Sequence, residues 1–193
     1  EEKTNETLDW SITNEAGSVI KNGSFTNVNL SIGNNTDLGT IDYPVNVTKA
    51  EKLNITVSLK GTKYKNNWNI WVYPKEVTTT AKDILITSSF KDAEAALKQG
   101  KNVLLNPNYK ALEGIEGRFV PVFWSPVHFP NQPATMGLMI DDKNPAFNNF
   151  PTDTHTNWQW WDLCINSKSI VIDSLEVTPI VRVIDNFVTN HLF

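Results

Sequence analysis

The chain changes rhythm part-way along. Up to Pro74 apolar and polar residues alternate with period two, in Leu8-Asp-Trp10-Ser-Ile12, Val28-Asn-Leu30-Ser-Ile32 and Leu53-Asn-Ile55-Thr-Val57-Ser-Leu59. Successive side chains of a strand point to opposite faces, so this spacing predicts half-buried β-strands. Asn14-Glu-Ala-Gly17 predicts a turn, and Asn22-Gly23 after Ser18–Lys21 predicts a hairpin turn. Asn67-Trp68-Asn-Ile70-Trp71-Val-Tyr-Pro74 makes a last aromatic strand, closed by a proline that has no N–H for a ladder. Trp10, Trp68 and Trp71 sit in alternating strands and are expected in core or inter-sheet packing. Four or more strands sharing one apolar face need that face covered. Two packed antiparallel sheets, an immunoglobulin-like β-sandwich over residues 1–76, are the expected solution.

Past the polar stretch Lys75–Lys82 the pattern switches. Asp83–Thr87 has the apolar content of a buried strand, and Ser88 or Ser89 is placed to cap a helix running through Asp92-Ala-Glu-Ala-Ala-Leu97. Gly100 is placed to end that helix, and Lys101–Pro107 reads as a second strand. Strand, helix and strand in that order imply a crossover and a parallel pairing. Further buried-type strands are expected at Phe119–Phe123, Ser169–Ile172 and Pro179–Ile184. The fold class is therefore α+β in two domains, a β-sandwich over 1–76 and an α/β domain over 77–193. The apolar end Asn190–Phe193 leads to the expectation that this second domain is truncated.

Composition narrows the functional classes. A formal net charge of −4 with no basic run gives no electrostatic footprint for nucleic acid or for an anionic membrane surface. No apolar stretch approaches the length that spans a bilayer. Cys164 is the single cysteine, so an internal disulfide and a multi-cysteine zinc site are both excluded. Asn-x-Ser/Thr sequons at Asn5, Asn22, Asn29, Asn34, Asn46 and Asn54 are expected from an Asn-rich composition suited to β-turns, the alternative being glycosylation of a eukaryotic secreted protein. The polar start is compatible with a mature periplasmic or secreted protein.

Chemistry concentrates in Phe150–Cys164, which holds three of the seven tryptophans and one of the three histidines. Trp combines a broad apolar face with one N–H donor, and beside His, Asn, Gln and Asp it forms the type of surface that stacks on a sugar ring. Trp158 and Trp161 share a face if the segment is helical, while Trp160 turns away. Trp124 and His128 sit where a buried-type strand enters a Pro-bracketed loop. With His155, Trp158 and Trp161 they make the candidate ligand-binding set, the alternative being an aromatic core under a loop. His128 and His155 lack the close His partner of a metal motif, so no metal and no cofactor is assigned. Cys164 has no flanking glycine of the kind a strand-to-helix nucleophile elbow needs. Asp141, Asp142, Asp153, Asp162, Asp173 and Asp185 leave open a hydrolase that would use Asp and His near Trp158. A purely structural module is a third possibility.

Several long motifs carry a family resemblance. They are Gly100-Lys-Asn-Val-Leu-Leu-Asn-Pro107, Phe123-Trp-Ser-Pro-Val-His128-Phe-Pro130, Pro151-Thr-Asp-Thr-His155-Thr-Asn-Trp-Gln-Trp-Trp161 and Ile184-Asp-Asn-Phe-Val-Thr-Asn190, together with the Asn67–Pro74 strand. The chain resembles the C-terminal part of Bacteroides-type glycoside hydrolase family 2-like proteins, where a β-sandwich leads into an appended flavodoxin-like, glutamine-amidotransferase-like α/β domain. The resemblance implies a part in carbohydrate breakdown, with a catalytic barrel as partner and saccharide as ligand. It carries over no catalytic residue, because the family's two glutamates lie in a (β/α)₈ barrel of about 200 residues or more that this sequence does not contain.

Overall fold

A computed structural model of the protein describes residues 2–77, 81–119 and 135–185. It is a mixed α+β structure dominated by strands, divided into two compact units. The first unit comprises Glu1–Val77 together with the short segment Ala146–Pro151; the second holds the remainder.

In the first unit the period-two segments become β1 (Lys3–Asn14), β2 (Val19–Leu30), β3 (Glu51–Leu59) and β4 (Lys65–Val72). They form one antiparallel sheet in the order β2-β1-β3-β4. Register sets Ile12 against Ile55, and Leu53 against Ile70, so the apolar positions of neighbouring strands share a face. The buried core there is Ile12, Leu53 and Val72, packed by Trp10, Ile55 and Ile70 and by Ile41, Tyr43 and Val47 from the β2–β3 connection. Cover for the apolar face thus comes from a connecting segment. Among the described residues of this unit there is no second sheet.

The opposite face is a polar lattice. Asn54 donates through Nδ2 to Asn67 Oδ1 (3.2 Å) and Asn69 Oδ1 (2.9 Å), and Ser24 Oγ donates to Asp9 Oδ1 (2.6 Å). Two sequence expectations are corrected in this unit. Asn22-Gly23 is no turn: both lie inside β2, paired with Ser11 and Trp10 of β1, because Gly23 makes room for the Trp10 indole. Trp68, expected in the packing, is half exposed on the edge strand β4.

The segment 146–151 brings aromatic rings to this unit, with Tyr73 and Phe150 centroids 6.2 Å apart and Phe147 and Phe150 6.5 Å apart. Burial raises the Tyr73 hydroxyl above its ordinary pKa.

The second unit opens with β5 (Ile84–Thr87), α1 (Phe90–Lys98) and β6 (Asn102–Leu105). β5 and β6 pair in parallel, as the strand-helix-strand pattern requires. Ser89 caps α1 by accepting from the Asp92 N–H at 3.2 Å, and the helix is followed by Gly100 at φ +73°, a conformation that glycine adopts without steric penalty. Ala93 and Ala96 are the buried positions of α1. The chain continues through β7 (Ile115–Glu116), β8 (Thr135–Ile140), α2 (Trp161–Ile165), β9 (Lys168–Ser169) and β10 (Val181–Asp185). β8 pairs antiparallel with β10, and β7 pairs antiparallel with β9.

The strand expected at Ser169–Ile172 is shorter than its apolar content promised. Only Lys168 and Ser169 pair, while Ile170 and Val171 are exposed. Of the strand expected at Phe119–Phe123, all but Phe119 lies outside the described residues. No helix among the described residues is long and apolar enough to cross a membrane.

Candidate functional site

Strand β8 anchors the site. Leu138 and Ile140 are buried, and Met139 between them is 58% exposed. Register places Arg182 of β10 opposite Met139 on one side, and a single antiparallel bridge places His155 opposite it on the other. Cross-strand partners project to the same face of a sheet. His155, Met139 and Arg182 therefore form a row across β10, β8 and the bridged residue beside it, and both His155 and Arg182 are exposed.

The outward position before Met139 is Gly137. A Cβ there would stand 2.8 Å from Thr156 Oγ1 and 3.5 Å from Phe119 Cβ. The missing side chain leaves room for the Thr156 hydroxyl, and Phe119 lies at ordinary contact distance from the same position. Phe119 in turn meets Trp161 edge-on, with centroids 5.2 Å apart and planes at 85°, and meets Trp158 at 6.3 Å and 69°. The two indoles are themselves 6.2 Å apart. Edge-to-face packing of this type matches the positive ring edge to the negative ring face.

The Trp-rich segment folds as its spacing demands. Trp158–Trp160 is a 3₁₀ turn, capped by Asn157, whose side chain accepts from the Gln159 N–H at 3.2 Å, and α2 follows directly. Trp158 is 80% exposed and Trp161 36%, whereas Trp160 is buried at 7% with its Nε1–H donated to Thr152 Oγ1 at 2.7 Å. One indole holds the segment to the core while two face outward with Phe119.

Of the sequence-chosen residues, the structure brings Trp158 and Trp161 together and sets His155 on the neighbouring strand row. Trp124 and His128 lie outside the described residues. Sequence reasoning missed Phe119, Gly137, Met139 and Arg182. The one available signal was a glycine interrupting the apolar run Thr135–Ile140, which marks a close approach in a strand.

The carboxylates here are committed locally. Asp153 Oδ2 accepts from Asn157 Nδ2 at 3.4 Å, Asp162 Oδ1 accepts from Asn166 Nδ2 at 3.0 Å, and Asp142 Oδ2 pairs with Lys143 Nζ at 2.8 Å. Cys164 is the buried residue of α2, and desolvation raises its thiol above the ordinary range, which disfavours the nucleophilic thiolate. Among the described residues no three His, Cys, Asp or Glu side chains are grouped to hold a metal ion.

Two hollows adjoin this region of the second unit. One, of about 1390 Å³, is an open, mostly apolar groove under Leu138 and Trp160, walled by Ile170, Val171 and Val177 and bordered by Arg182. The other, of about 500 Å³, lies past the carboxyl ends of β5 and β6 between Ser88, Asn106 and Tyr109, where ligands of parallel sheets commonly sit. Lys168 reaches this second hollow but donates its Nζ to Leu112 O at 2.8 Å.

Family models cover nearly the whole chain. The domain of unknown function DUF8488 matches residues 1–74, and the domain of unknown function DUF8487 matches residues 85–193. The chain belongs to the DUF8487 family. No curated protein matches it. The DUF8487 region contains every member of the aromatic platform and its flanking row, and the DUF8488 region contains the whole antiparallel sheet.

Proposed function

We propose that this chain is an accessory, non-catalytic region of a glycoside-hydrolase-like protein, and that its second unit contacts saccharide through Trp158, Trp161 and Phe119. The exposed indole of Trp158, side by side with Trp161 and propped by the edge of Phe119, carries the reading. Leaving most of a Trp side chain in water forgoes about 1.5–3 kcal/mol of burial, on the scale for large apolar side chains. A sugar presents an apolar C–H face that such a platform covers, and hydroxyls that the exposed His155 and Arg182 beside it are suited to bind.

The engagement of Asp153 and Asp162 with asparagine amides favours the binding role over hydrolysis by this chain. The parallel β5-α1-β6 unit supports a flavodoxin-like, glutamine-amidotransferase-like second domain. The four antiparallel strands with one apolar face supply one of the two sheets that an immunoglobulin-like first domain requires. On this reading the natural partner is a catalytic barrel, and the place of action is the periplasm or the exterior.

Tryptophan fluorescence during titration with a panel of neutral and acidic oligosaccharides tests the proposal. A saturable shift that disappears in Trp158→Ala, with the far-UV circular dichroism unchanged, supports it. A spectrum that no saccharide in the panel perturbs rejects it.

A further inference from the structure

The row beside the platform narrows the saccharide class, an inference that rests on the saccharide reading above. Arg182 is exposed, and among the described residues its guanidinium makes no ion pair and no hydrogen bond. The platform's own neighbouring carboxylates, Asp153 and Asp162, accept from Asn157 and Asn166.

Position makes the free guanidinium pertinent. Arg182 is the cross-strand partner of Met139, and Gly137, the position that Phe119 lies beside, is the next outward position on β8. Outward positions on one strand are about 7 Å apart, within the reach of an arginine side chain. A ring stacked on the indoles therefore has one flank toward a planar, permanently charged fork whose geometry matches a carboxylate. Met139 supplies an exposed apolar floor between that fork and His155.

We propose that the platform recognises an acidic saccharide, with the ring of a uronic acid unit stacked on Trp158 and Trp161 and its carboxylate bound by Arg182. The chain's net charge of −4 opposes anions at long range, but that field is screened beyond about 8–10 Å in physiological salt, and the local contact decides.

The test compares oligogalacturonate with the same oligomer methyl-esterified at its carboxyls, by tryptophan fluorescence on the full chain, and adds a sulfated neutral oligosaccharide as a third ligand. The free acid is expected to bind at least about tenfold tighter than the ester, as a charge-assisted bidentate contact implies, and to weaken as salt rises. Arg182→Gln is expected to bring acid and ester to equal affinity while leaving the ester's own affinity in place. Equal binding of acid and ester by the native protein overturns the inference and leaves the saccharide reading standing. Binding of the sulfated ligand alone overturns the carboxylate assignment. Absence of any binding removes the saccharide reading itself. The acid-to-ester comparison uses native protein, so it decides the matter even if Arg182→Gln fails to fold.

Discussion

Trp10 on β1 and Gly23 on β2 are cross-strand partners, and the indole occupies the space a side chain at 23 would need. A Cβ there would stand 2.6 Å from Trp10 Cζ2 and 2.8 Å from Cε2. The same indole reaches Phe25 at a centroid distance of 6.5 Å and packs on the Ile12–Leu53–Val72 core.

Gly23→Ala sets two effects against each other. Replacing a strand glycine ordinarily gains about 0.5–1 kcal/mol, whereas forcing a methyl into a packed ring loses about 1–3 kcal/mol. The clash is expected to win, lowering the urea midpoint. Trp10→Phe in the same chain is expected to recover part of the loss, since contacting residues couple. An alanine variant as stable as the parent would show that Trp10 reorients freely.

Thr135 is fully buried, with its hydroxyl accepting from the Arg118 N–H at 2.6 Å and donating to Arg118 O at 2.9 Å. Thr135→Val keeps the shape but strands both backbone groups, a loss of about 1–3 kcal/mol. Thr135→Ser is expected to retain most of the stability. Denaturant unfolding of the pair separates the hydrogen bonds from the packing.

Trp160 and Trp158 are expected to diverge in stability measurements. Trp160→Ala removes a buried ring and the Thr152 hydrogen bond, for about 3–5 kcal/mol, while Trp158→Ala at the surface changes stability by less than about 0.5 kcal/mol. Thermal unfolding of the two variants would show it. Similar losses would mean that Trp158 is also packing.

Cys164 offers a pH test. Burial raises its thiol pKa in the folded chain, so the folded state holds that proton more tightly than the unfolded state does. The associated stability is complete below the ordinary thiol range and is lost as pH rises through the raised folded value. Alkylation by iodoacetamide is accordingly expected to be much slower in the native protein than in urea at the same pH. Equal rates in the two states would place the thiol at the surface.

Local rules carried much of the architecture. The alternation Leu53-Ile55-Val57-Leu59 obliges a strand with one apolar face, Ser89 and Gly100 bracket a helix, and the 158/161 spacing obliges two indoles to share a side opposite Trp160. Each depends on residues within a few positions of one another, where backbone geometry alone sets direction. Tertiary structure decided the rest. Asn22-Gly23 has the chemistry of a turn, yet β2 runs through it because Trp10 across the sheet needs the glycine's space. Phe119 joins the tryptophans, and Arg182 lines up with Met139 and His155, only once β8 has paired on both sides. Periodicity states which face a side chain takes, but not which distant strand will lie beside it, because strand partners are chosen by the burial and hydrogen bonding of the whole sheet.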